Sequence, residues 1–187
     1  MILFRTLLLL ATVSAFFTAN AQSKYYTRDG RVSFFSSTPM EDIEALSNDA
    51  SSVFDIKTGK VEFGVPMKSF TFEKALMQEH FNEDYVESDK FPKAKFKGIF
   101  EFEGDFDPAK AGEYKVIAKG KFTLHGITQE ITEKGTFTVS DEGNLFAVCV
   151  FHVKPADYDI EIPSTVRDKI AKTVEVTIKM NYKPLKR

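Results

Sequence analysis

Apolar and polar residues alternate with a period of two through most of this 187-residue chain. This is the period of a β-strand with one buried face, because successive side chains of a strand point to opposite sides of the sheet. The alternation predicts strands over 31–37, 61–65, 94–102, 114–124, 137–139 and 174–182. The chain is therefore predicted to belong to the all-β class.

Turn-forming residues separate these runs. Lys57–Gly59 and Asp141–Asn144 are short and contain glycine, and Gly104–Gly112 is a longer connection that contains proline. Short turns between strands indicate hairpins and hence antiparallel neighbours. A further turn or short helix is expected over Ser164–Ile170, after Pro163. Because no internal repeat or linker interrupts this pattern, we predict one domain.

One segment departs from the strand pattern. Residues Glu73–Asn82 are mostly good helix formers, and helical spacing places Leu76, Met77, His80 and Phe81 on one face. Thr71 is a candidate N-cap for this helix.

The first residues have the three parts of a secretory signal peptide. Arg5 supplies a positive charge, Thr6–Phe17 is almost entirely apolar, and Ala19-Asn20-Ala21 gives a cleavage pattern of small residues. The apolar stretch is shorter than a membrane-spanning helix requires. We expect residues 1–21 to be removed, leaving a single domain over residues 22–187, located in the periplasm or secreted, with no integral membrane segment.

Charge and cysteine content exclude some classes of protein. The net charge is −2 and basic residues do not cluster, so the sequence gives no electrostatic reason to bind nucleic acid. The single cysteine, Cys149, has no internal partner for a disulfide, and its apolar neighbours predict a buried, slowly reacting thiol.

The segment Leu145–Val153 is apolar on both faces apart from His152. A barrel strand of this kind needs another element to cover its outer face. Of a helix, a loop or a second subunit, we favour the subunit, and hence a homodimer.

No residue pattern predicts catalysis or a metal centre. The three histidines, His80, His125 and His152, lack the close spacing of a zinc site. The alternating acidic residues of 157–161 lack the glycine of a calcium loop. No serine lies in a nucleophile elbow. We therefore predict no catalytic residue, no metal and no cofactor, and a protein that is not an enzyme.

The chain has nineteen phenylalanines and no tryptophan, so the inward rows are rich in large, purely apolar rings. Such rows fill the core of a small barrel or line a cavity within it, and their period is the same in both cases. Gly98, Ala118 and Gly120 are small residues in otherwise bulky rows, which favours a cavity. Glycines that relieve strand curvature are the alternative.

Three segments, in order, resemble the YceI family of exported lipid-binding domains. Gly30–Phe34 resembles the opening strand of the family. Met77–Asn82 followed by Ser88–Phe96 resembles its helix and its YP-x-A-x-F entry to the next strand, with Phe91 in place of the tyrosine. Gly120–Thr128 reads GKFTLHGIT and is similar to the family's G-x-L-T-L-H-G-V-T stretch.

The resemblance implies an eight-stranded antiparallel, lipocalin-like barrel with a helical lid segment. It also implies a non-catalytic carrier of a long apolar lipid, a polyisoprenoid or a related amphiphile. The alternative is a protein-interaction or stress-response barrel without a ligand. The inward rows and the lid then supply the predicted lumen residues: Val32, Phe34, Val61, Phe63, Leu76, Met77, Phe81, Phe96, Phe100, Phe102, Val116, Ala118, Phe122, Val174, Val176 and Ile178.

Overall fold

A computed structural model describes residues 23–185, so the predicted signal peptide lies outside the described residues. The described chain forms nine strands and one short α-helix. In chain order these are β1 Lys24–Ser37, β2 Asp42–Asp55, β3 Lys60–Pro66, β4 Thr71–Phe72, α1 Ala75–His80, β5 Lys93–Phe102, β6 Gly112–Leu124, β7 Ile127–Val139, β8 Leu145–Val153 and β9 Val174–Pro184. Short 3₁₀ turns cover Met67–Ser69 and Pro155–Tyr158.

Eight of these strands close into an antiparallel barrel in the order β1-β9-β8-β7-β6-β5-β3-β2. The barrel closes because β1 pairs with β2 on one side and with β9 on the other. Phe34, for example, lies opposite Ala45 of β2 and Val176 of β9. The two-residue β4 pairs only with β2, near the start of that strand. The predicted all-β class and the eight-stranded barrel are both confirmed.

The predicted phase of the alternating strands is also that of the structure. In β5 and β6, Phe96 and Phe122 face each other and are buried, whereas Lys95, Lys97 and Lys119 are exposed. On the outer surface Lys97 pairs with Glu62 at 3.4 Å. A slip of one residue would reverse these faces, because side chains alternate along a strand.

The long strand β2 was not predicted from the sequence. Its inward row is Ala45, Ser47, Ala50, Ser52 and Phe54, all buried, and four of these five residues are small. Small and hydroxyl side chains do not give the apolar alternation by which the other strands are recognised. The hydroxyl of Ser52 contacts the Tyr182 hydroxyl at 2.8 Å, so this buried polar row is satisfied internally.

The helix is shorter than predicted, and its predicted cap is wrong. The α-helix covers only Ala75–His80 and continues as a single π-helical turn over Phe81–Tyr85. Lys74 occupies the N-cap position without a capping side-chain bond. Thr71 lies instead in β4, where its hydroxyl donates to the Leu46 carbonyl at 3.0 Å. The predicted turn over Ser164–Ile170 is present.

Aromatic rings close the barrel at the end away from α1. Phe54 is fully buried, and its ring centroid lies 5.3–6.5 Å from five other aromatic rings. Those rings belong to Phe100, Phe102, Phe106, Phe137 and Tyr182. We call these six residues the aromatic plug.

Gly98 and Gly120 serve strand packing, so their interpretation as cavity-forming residues is wrong. The two glycines lie opposite each other in the β5–β6 register. A Cβ atom on Gly98 would overlap the Lys119 carbonyl and lie 2.9 Å from the Gly120 Cα. The missing side chains therefore let two backbones approach closely, as expected of glycine at a bend in a sheet.

We expect Gly98→Ala to lower stability by about 1–3 kcal/mol, because the backbone must shift to admit the methyl group. Gly64→Ala is the matched control on the neighbouring strand β3, where the nearest atom to an added Cβ is 3.7 Å away. The control should be neutral or slightly stabilising. Urea unfolding of both variants measures the difference, and equal stability would contradict the close approach.

Candidate ligand-binding cavity

The interior of the barrel holds a chamber of about 470 Å³ at the end beneath α1. Its walls come from several strands, and α1 and the segment after β8 border it. Four phenylalanines form one side: the ring of Phe34 lies 5.4–5.7 Å from the rings of Phe70, Phe72 and Phe81. We call this space the upper chamber.

A second space of about 80 Å³, the lower chamber, lies deeper in the barrel. Phe63, Phe122, Phe151 and Ile178 line both chambers and therefore form the constriction between them. Members of the aromatic plug line the lower chamber at its far side. The cavity thus narrows from the lid end inward.

The structure brings almost all predicted lumen residues to these two chambers. Those at the upper chamber are Val32, Phe34, Phe63, Leu76, Met77, Phe81, Phe122, Val174, Val176 and Ile178. Those at the lower chamber alone are Val61, Phe96, Phe100, Val116 and Ala118. Phe102 lines neither chamber, because it packs within the aromatic plug. Leu76 is 62% exposed and lies at the rim.

Charged residues surround the mouth of the upper chamber. The Lys74 ammonium donates to Glu41 at 3.0 Å, and Lys169 lies 4.0 Å from the other oxygen of the same carboxylate. The hydrogen bond from Lys74 lowers the pKa of Glu41, and the same bond raises the pKa of Lys74. His80, predicted on the same helical face as Phe81, pairs with Asp84 at 2.6 Å and also lines the chamber. The mouth can therefore contact a polar group while the interior remains apolar.

His125 holds three segments of the mouth together. Its Nε2 lies 2.8 Å from the Glu87 carboxylate, and its Nδ1 lies 3.0 Å from the Tyr158 carbonyl oxygen, to which it donates. The hydrogen bond from His125 lowers the pKa of Glu87. Phe91 packs edge-on against the imidazole with centroids 4.6 Å apart. The histidine of the G-x-L-T-L-H-G stretch thus has a structural role.

Gly126 follows His125 in the tight turn between β6 and β7. Its φ is +78°, and an added Cβ would lie 2.6 Å from the Phe91 ring. Both the backbone conformation and the space therefore favour glycine at this position.

Several cavity residues were missed by the sequence interpretation. Glu41, Lys74 and Lys169 lie far apart in the chain, and only the fold brings them together. Ile160, Ile162, Val166 and Ile170 come from an irregular segment without a period, and they line the chamber as well. Phe151 and Val153 continue the inward row of β8, so the period-two rule was sufficient to find them.

Cys149 is less buried than predicted. It is half-buried in the inward row of β8 and lines the lower chamber. Burial raises the pKa of its thiol to about 11, with a smaller contribution from Glu133. A raised pKa slows thiol reactions, because the thiolate is the reactive species.

Within residues 23–185, no group of three His, Cys, Asp or Glu side chains lies close enough to share a metal ion.

Among the residues described, no helix has the length and apolar character needed to cross a membrane.

A closed antiparallel barrel with an apolar chamber under a helical lid defines a lipocalin-like class of binding barrel. The model of the YceI-like domain matches residues 13–182, and the chain therefore belongs to the YceI-like family. A comparison with curated proteins returned no match.

Solved structures share this fold at low sequence identity. A polyisoprenoid binding domain from Saccharophagus degradans, implicated in plant cell wall breakdown, aligns with a TM-score of 0.73 at 15% identity, covering 88% of this chain and 99% of that chain. Burkholderia cenocepacia BcnA aligns with a TM-score of 0.67 at 16% identity, covering 82% of this chain and 96% of that chain. The YceI protein of Campylobacter jejuni aligns with a TM-score of 0.53 at 16% identity, covering 76% and 85%.

Proposed function

We propose that this protein is an exported, non-catalytic carrier that holds a long apolar lipid, a polyisoprenoid or a related amphiphile, inside its barrel. The observation that carries this proposal is the upper chamber, an apolar space of about 470 Å³. A volume of this size is typical of ligand pockets. A domain that acts only through its outer surface has no need of such a space, because protein interiors are normally close-packed.

The energetics suit an apolar chain. Each buried methylene contributes ~0.8 kcal/mol, so about fifteen such groups contribute ~12 kcal/mol, comparable with the 4–15 kcal/mol cost of association. No single side chain needs to dominate. When the apolar chain lies inside the chamber, the polar head of the amphiphile lies at the mouth. There it contacts water and the charged side chains of Glu41, Lys74 and Lys169.

The similarity to a polyisoprenoid binding domain supports the choice of lipid. The signal-peptide pattern supports the proposed export, with cleavage after Ala21 and residence in the periplasm or outside the cell. N-terminal sequencing of exported protein tests this part separately, and we expect Gln22 as the first residue.

The test of the carrier proposal is native mass spectrometry of protein purified from its own host, followed by lipid extraction. We expect one lipid per barrel, and uptake of an added prenol by delipidated protein. Protein that carries no lipid and takes up no prenol would instead support an interaction domain without a ligand.

A further inference from the structure

The wall of the barrel is incomplete between β7 and β8. β7 pairs with β6 along its whole length, but with β8 only from Gly135 to Val139. The end of β8 from Val150 to Val153 still pairs with β9. Ile127–Lys134 and Val150–Val153 are therefore adjacent without a shared ladder, and we call the gap between them the seam.

Another segment covers the part of the seam near the mouth. Gln129 donates to the Asp157 carbonyl at 3.2 Å, which holds the Pro155–Tyr158 turn against β7. The Tyr158 ring is buried and lies 5.6 Å from Phe122, across the top of the gap. The deeper part of the seam is bridged by the thiol of Cys149, a weak donor at 3.4 Å from the Lys134 carbonyl.

The lower chamber reaches this deeper part of the seam. Ile131 and Glu133 line it from β7, and Val148 and Cys149 line it from β8. Cys149 is the last residue of β8 in the ladder with β7, so the chamber borders the place where that ladder ends and the seam begins. Glu133 lies in the inward row of β7 but is partly exposed, which agrees with an opening at this place. Burial raises the pKa of its carboxyl, and the nearby His152 partly offsets this effect.

An apolar stripe begins on the outer surface at the seam. Phe146, Val148 and Val150 alternate along β8 with 40–45% exposure, whereas a barrel strand normally turns polar residues to water. No helix or loop of residues 23–185 buries these three side chains, and Val150, the first residue of β8 beyond the ladder with β7, brings the stripe to the edge of the seam.

The volume of the lower chamber restricts what can end there. At about 80 Å³ it is far smaller than the upper chamber of about 470 Å³, and Phe100, Phe137 and Tyr182 of the aromatic plug border it. A chain that passes the constriction therefore has little further room inside. The seam is the gap in the wall that adjoins the lower chamber.

We propose that the deeper part of the seam is a portal through which the tail of a long-chain lipid leaves the barrel and lies along Phe146, Val148 and Val150. This inference rests on the proposed carrier function and makes it more specific. The preferred ligand is a polyisoprenoid longer than the enclosed cavity, with its head at the mouth and its tail outside the wall.

Delipidated full-length protein and three prenols of increasing length test the portal: geraniol, geranylgeraniol and solanesol. Glu133→Trp places a large ring in the opening, and we expect it to weaken solanesol binding at least tenfold while geraniol binding is unchanged. Lys115→Trp is the matched control, because it places the same ring on the outward face of β6, which pairs with β7 along its whole length. Val150→Lys leaves the interior intact and should weaken only solanesol binding.

The single cysteine provides an independent measurement. We expect bound solanesol to slow the reaction of Cys149 with methyl methanethiosulfonate, whereas geraniol, which fits in the upper chamber, should not. Unchanged solanesol affinity in both Glu133→Trp and Val150→Lys would refute the portal. If Val150→Lys abolishes self-association in sedimentation while the length dependence stays the same, a second copy covers the stripe and the portal is wrong. Wild-type protein that binds none of the prenols would refute the carrier proposal itself.

Discussion

Val176→Trp is expected to abolish lipid retention while the barrel stays folded. Val176 lies on β9, lines the upper chamber and sits opposite Phe34 and Phe151. The indole occupies space that the lipid needs. Displacing about four methylene groups removes ~3 kcal/mol, which is more than a hundredfold in affinity. Native mass spectrometry gives the lipid content, and circular dichroism checks the fold.

Glu175→Trp is the control for this variant. Glu175 is the preceding residue of the same strand and is exposed on the outer face, so the same ring is added outside the barrel. It should retain lipid as the wild type does. If Val176→Trp folds and carries the wild-type amount of lipid, the chain does not occupy the upper chamber.

Phe54→Ala is expected to have the largest effect on stability. Phe54 is fully buried at the centre of the aromatic plug. Removing a buried phenylalanine ring costs about 3–5 kcal/mol, which for a domain of this size lowers Tm by about 10 °C. Thermal unfolding monitored by circular dichroism measures the shift.

Phe35→Ala is the control variant, which separates the effect of removing a buried ring from the effect of removing any aromatic ring. Phe35 is 41% exposed on the outward face of β1, so its removal leaves no cavity in the core. Its effect should stay below about 1 kcal/mol. Equal losses in the two variants would mean that Phe54 does not hold the far end of the barrel together.

The sequence predicted the barrel well where one residue in two is apolar and bulky. This condition holds in β5, β6 and β9, and it fixed both the strands and their inward faces. It fails in β2, where Ala45, Ser47 and Ala50 form a buried row that has no apolar period. The face of such a strand is set by its neighbours in the sheet and not by its own side chains.

The cavity was predictable in part. The phenylalanine rows were found, but whether they fill the barrel or line a space depends on volumes that no period encodes. The pair Gly98–Gly120 shows the difficulty: from sequence these residues suggested room for a ligand, whereas the register shows two backbones in contact. The lysines that flank Glu41 come from distant parts of the chain, so only the tertiary structure assembles the mouth.

The pairing of β1 with β9 has a consequence for the time course of folding. Tyr25 lies opposite Pro184, and the Leu185 amide donates to the Lys24 carbonyl at 2.8 Å, so the closing contacts join residues about as far apart in sequence as the chain allows. Contacts of this range form slowly, because a long loop must close before they stabilise anything. The barrel cannot close until β9 has left the ribosome, and β1 keeps one unpaired edge until then. This delay keeps the nascent chain in an open form, which is compatible with the export proposed above.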